Sequence, residues 1–207
     1  MHRSTMLRID ESSKTLVAPE SNEFVPDAPP ARDELHALIT AGWDAFAAEI
    51  GQTRLKSVGA VPEPGIDLLA MDLEAGRITV VIVDDGAGKG AMGRAMMAAA
   101  TVSTWDAEKL GGMHEFLQGA TPGESPRMLI VGSSFDSDAM RLADFLTEKH
   151  GMDIVAWSIE VLRRGDERML SANAAYPAAP EPQIVASVDA SASAPPPPPP
   201  VPAPEAA

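Results

Sequence analysis

The chain has 207 residues, a net charge of −14 at neutral pH and no cysteine. That length suits one ordinary domain with tails, and the missing cysteines exclude disulfides and thiolate metal sites. The acidic surplus works against sequence-independent phosphate binding, which needs excess basic charge, so nucleic acid is disfavoured as a partner.

Residues 1–31 contain Pro19, Pro26, Pro29 and Pro30 and few periodic apolar positions, so they are expected to be a disordered N-terminal tail. No apolar stretch there is long enough for a signal peptide. No run in the chain approaches the length needed to cross a bilayer. A cytoplasmic protein without a membrane partner is the resulting expectation.

From Asp33 the apolar residues Leu35, Leu38, Ile39, Trp43, Phe46 and Ile50 recur at steps of three and four, which predicts a helix stopped at Gly51. The stretch RLKSVGAV predicts a weak strand. GIDLLAMD and RITVVIVDD predict strong, central strands joined through Glu74, Ala75 and Gly76 as a hairpin. Ala91 to Trp105 predicts a buried helix rich in alanine and methionine, and Asp106 to Leu117 a shorter one.

RMLIVGSS then reads as a buried strand. SDAMRLADFLTEKHG reads as a helix capped by Ser137 and stopped by Gly151. DIVAWSIEVLRRG and ERMLSA close the pattern as two further strands. The order predicts an α/β domain over residues 32–172, in three layers, with a mixed sheet: an antiparallel meander followed by parallel crossover strands. Residues 173–207 are rich in Ala, Pro and Ser and include the run Pro195–Pro200. They are expected to form a disordered tail, the proline run favouring a polyproline II conformation.

The segment IVDDGAGKG, from Ile82 to Gly90, carries the chemistry-bearing motifs. Asp84 to Gly90 fits the acid-and-glycine loop of S-adenosylmethionine-dependent methyltransferases, where glycines let backbone approach the cofactor. Such enzymes need a second strand soon afterwards that ends in an acid for the ribose hydroxyls, and DAEKLGGMHEFLQG does not supply it. Gly88, Gly90 and Gly93 satisfy G-x-G-x-x-G but lack the same βαβ context. A P-loop fails because position 83 is valine and Lys89 is not followed by Ser or Thr.

Gly65 to Asp72, Arg77 to Gly86, RMLIVGSSFD and RLADFLTEKHGMDIVAWSIEVLRRGDERML together resemble the PD-(D/E)XK nuclease superfamily, which has the restriction-endonuclease-like fold. The resemblance is closest to small bacterial members and covers about Asp44 to Leu170. It implies a magnesium site built from an aspartate on the second strand and an acid and a lysine on the third. Two carboxylates would hold a hard cation, and metal and lysine would stabilise charge on the phosphate. The acid and lysine stand two residues apart, so both side chains leave one face of the strand.

Asp67 matches the first aspartate. The acid of the E-x-K phrase falls on Ile82 and its lysine on Asp84, while a glutamine common in the following helix falls near Arg94. The resemblance therefore implies a catalytically degenerate domain that binds or scaffolds a protein partner and needs no cofactor. The alternative is a rewired nuclease in which Asp67 and Asp84 hold Mg²⁺ and Lys89 or Lys56 supplies the cation. Asp67 also has a structural reading, capping the backbone of the GIDLLAMD strand or pairing with Arg54 or Lys56. His36, His114 and His150 read as ordinary helix residues, and Trp43, Trp105 and Trp157 as core anchors. Self-association through a sheet edge or the alanine-rich helix is left open.

Overall fold

The computed structural model describes residues 5–10, 14–17, 25–86 and 88–177. Helix α1 (Arg32–Ala41) and helix α2 (Trp43–Glu49) come from the single helix expected after Asp33. The break falls at Gly42, whose amide still bonds to the carbonyl of Leu38. A Cβ on Gly42 would lie 3.1 Å from the Leu16 side chain, so the missing side chain lets an incoming strand seat against the helices.

Strands β4 (Leu55–Gly59), β5 (Leu68–Asp72) and β6 (Arg77–Val83) form the expected antiparallel meander. Helix α3 (Lys89–Ser103), helix α4 (Ala107–Met113) and a 3-10 turn at Glu115–Gly119 lead to β7 (Arg127–Gly132), which lies parallel to β6. Helix α5 (Ser137–His150) leads to β8 (Ile154–Arg164), parallel to β7, and β9 (Glu167–Tyr176) returns antiparallel. The α5 cap is Asp136, whose carboxylate accepts from the Ala139 amide, and not the expected Ser137. A charged oxygen at this position also suits the positive end of the helix. Gly151 ends α5 in the left-handed region, as the pattern predicts.

The expectation of a disordered tail over 1–31 does not match the described part of that segment. Thr5–Asp10 (β1), Thr15–Val17 (β2) and Val25–Asp27 (β3) are strands. β1 pairs with β9, β2 with β1, and β3 with the distal part of β8. Their order comes from main-chain pairing to an edge supplied by β8 and β9, which side-chain periodicity does not register. The sheet thus reads β2-β1-β9-β8-β7-β6-β5-β4, with β3 beside β8. β9 runs four residues past the expected domain end at 172, into the segment expected as a disordered tail over 173–207, and the part of that segment from 178 onward lies outside the described residues.

Alternation along the strands divides the apolar side chains between two cores. Leu68, Ala70, Val81, Val83 and Leu129 pack with Leu35, Phe46 and Leu16 under α1 and α2. Leu69, Met71, Val80, Ile82 and Ile130 pack on the other face with Ala91, Met92 and Ala95 of α3 and Leu146 of α5. The result is the three-layer α/β domain with a mixed sheet that the sequence predicts. Trp43 is an anchor, with its indole N–H donating to the Leu55 carbonyl at 3.0 Å.

Glu49, at the end of α2, is a liability in this packing. Its Oε1 is buried without a hydrogen-bond partner among the described residues. Desolvation raises its carboxyl above the ordinary value of 4.5. Folding that raises a carboxyl pKa is opposed once the group ionises, so the penalty builds as pH rises from the ordinary value towards the raised one and is full above it. Glu49→Met should therefore raise stability at pH 7 by about 1 kcal/mol. The gain should shrink below pH 4.5, which urea denaturation at the two pH values would reveal.

Candidate functional site

The sequence-predicted residues meet at the end of β6, where the chain leaves the sheet. Val83 lies beyond the last β5–β6 pair, Leu68↔Val81. Its amide donates instead to Asp67 Oδ2 at 2.7 Å. Asp67 therefore does cap backbone, but that of β6. The other Asp67 oxygen accepts from Nη2 of Arg32, at the start of α1. The expected partners lie elsewhere: Arg54 pairs with Glu74 and Lys56 with Asp44.

A second guanidinium completes the cluster. Arg94, one turn into α3, places Nη1 3.6 Å from Asp67 Oδ2 and Nη2 3.2 Å from Asp84 Oδ1. Arg94 Nη2 and Arg32 Nε also donate to the Val83 carbonyl, at 2.9 and 3.1 Å. Both main-chain groups of Val83 are thus satisfied by side chains from α1, α3 and the loop before β5. The Asp67 side chain is only 8% exposed and that of Asp84 18%. Two largely buried carboxylates on one guanidinium would be costly without cations, and the two arginines bring the formal charge of these four side chains to zero.

Ile82 is fully buried in the core between the sheet and α3. The position corresponding to the family's acid is thus apolar packing. Lys89 does not enter the cluster: its ammonium pairs with Asp138 of α5 at 3.0 Å. That pairing raises the lysine pKa and lowers that of Asp138. His36 lies beside the cluster, its Nε2 3.2 Å from the Asp67 carbonyl oxygen. Among the described residues no group of three or more His, Asp or Glu side chains is placed to hold a metal ion.

The glycine-rich loop has a packing role. Gly88 adopts φ +84°, and a Cβ built there would lie 2.3 Å from Cδ1 of Phe135. The phenyl ring thus fills the space above this glycine. Glycine is required here both for its conformation and for the close approach. Around Gly90 and Gly93 nothing lies within 4 Å of an added Cβ. The next strand, β7, ends at Gly132 and is followed by Ser133, whose hydroxyl donates to the Asp85 carbonyl. The acid that a methyltransferase would present at that strand end is not there.

Sequence reasoning located Asp67, Ile82, Asp84 and Arg94 but did not find Arg32 or the bridging role of Arg94. Arg32 lies 35 residues from Asp67 and immediately before the predicted helix start, so no local spacing marks it. Comparison of the chain with family models, curated proteins and solved structures finds no match. The fold and the cluster define an α/β domain with an arginine-neutralised carboxylate pair at the end of the interior strand β6. Among the described residues no helix is long and apolar enough to cross a membrane.

Proposed function

We propose that this domain is a nuclease-like module without a catalytic metal site, serving to bind or scaffold a protein partner. The observation that carries the reading is Arg94 standing between Asp67 and Asp84. In the active enzymes that the sequence resembles, an aspartate at the position of Asp67 and an acid at that of Ile82 would face a divalent cation, with a lysine in the place of Asp84. Here a guanidinium fixed to α3 supplies the positive charge, and Asp67 already accepts from Arg32 and from the Val83 amide. A magnesium ion would have to displace these bonds.

The order α1, meander, α3, β7, α5, β8 agrees with the element order on which the resemblance rests. Fold alone does not fix activity. The net charge of −14 favours a protein over a nucleic acid as partner. A rewired nuclease is the second reading, and the convergence of Asp67 and Asp84 on one point favours it. That reading lacks a lysine at the site, because Lys89 and Lys56 are engaged elsewhere.

A cleavage assay separates the two. Single- and double-stranded DNA and RNA are incubated with the full chain in Mg²⁺ or Mn²⁺, beside Asp67→Ala. We expect no metal-dependent cutting above the variant's background. Robust cutting by the natural chain that disappears in Asp67→Ala would refute the non-catalytic reading.

A further inference from the structure

Alongside α3 lies an open groove of about 500 Å³. Met96, Met97, Ala100 and Ser103 of α3 form one wall, and Met128 and Met152 form the other. None of its lining residues is charged, although the chain as a whole is strongly acidic. Met97 is 70% exposed, the highest value among the large apolar side chains described as exposed. Methionine is flexible and polarizable, so such a wall adapts to whatever apolar group lies against it.

The last described residues bring the chain close to this groove. Tyr176 pairs with Ala156 on β8, which pairs in turn with Ile130 on β7, two residues from Met128. Two strand spacings and two residues amount to about 12 Å. Ala175 and Tyr176 also pack against the same core cluster as Met96, Met128 and Met152, so the chain leaves on the groove's side of the sheet.

Thirty residues follow Pro177, and Ala190 to Pro204 contains no charge. Twelve residues separate Pro177 from that stretch, and a length of twelve residues reaches roughly 20 Å, more than the distance to the groove. Proline-rich segments lose little conformational entropy on docking and present apolar ring faces. A tether this short holds its segment at an effective concentration of about a millimolar. Even a weak fit is then occupied.

We infer that the methionine-lined groove is the docking site of this chain's own segment Ala190–Pro204, so that a partner using the groove must displace it. The inference is independent of the nuclease-like reading, and the outcome of the cleavage assay leaves it untouched.

Because the chain has no cysteine, disulfide trapping tests it directly. The full chain with Ala100→Cys and Ala194→Cys is oxidised with glutathione disulfide at low micromolar concentration. A second chain pairs Ala194→Cys with Asp144→Cys, an exposed position on α5. We expect the Ala100 pair to close within one molecule at least tenfold faster than the Asp144 pair. Adding Met97→Glu, a surface change, should abolish that preference. Equal or reversed rates, or a preference that survives Met97→Glu, would overturn the proposal. So would a predominantly covalent dimer, which would mean that a second copy covers the groove.

Discussion

Asp67→Ala should destabilise the domain by about 3 kcal/mol, seen as a lower urea midpoint at unchanged slope. The substitution leaves the Val83 amide without its acceptor, and leaves Arg32 only the exposed Asp33 and Arg94 only Asp84 as carboxylate partners. Removing one partner from a buried ion pair costs roughly 3–5 kcal/mol, and the partial exposure of the two arginines places the effect at the lower end. Asp67→Asn should cost less, because its amide oxygen can still accept from Val83. A metal-binding aspartate facing uncompensated acids would behave oppositely, since its loss relieves repulsion between like charges. A change within about 0.5 kcal/mol for Asp67→Ala would contradict the arginine-clamped arrangement.

Gly88→Ala should cost about 2–3 kcal/mol, whereas Gly90→Ala, two residues on, should be neutral or stabilising by up to about 1 kcal/mol. At Gly88 the added methyl meets both a left-handed backbone and the Phe135 ring, whose atoms lie 2.3 and 2.8 Å away. Gly90 sits in the first turn of α3 with open space around it. Phe135→Ala should recover part of the Gly88→Ala loss, so a double-mutant cycle should show coupling between the two positions. Additive effects, or equal sensitivity at Gly88 and Gly90, would mean that the loop is shaped by something other than Phe135.

These expectations bear on the segment IVDDGAGKG, which sequence alone leaves open to several readings. A glycine serves a bound phosphate and a neighbouring side chain by the same means, the removal of a Cβ. Only the placement of Phe135, 47 residues further on, distinguishes the two at Gly88. Asp84 is ambiguous for a similar reason. A strand-end aspartate followed by glycine suits a turn, a metal ligand or a cofactor loop. Arg94, ten residues away on the next helix, decides that its carboxylate meets a cation of the protein's own.

What the sequence determined by itself was the layered framework. The continuous apolar runs within GIDLLAMD and RITVVIVDD, and the period near 3.6 in SDAMRLADFLTEKHG, are local properties of the chain. They survive without knowledge of any distant contact. The burial of Ile82 was legible in the same way. Tertiary structure alone decided the rest: the strands at Thr5–Asp10 and Val25–Asp27, held by pairing with β9 and β8, and the choice of Arg32 and Arg94 as partners of Asp67. Strand pairing and buried charge neutralisation depend on which groups the folded sheet brings together, and a linear spacing does not carry that information.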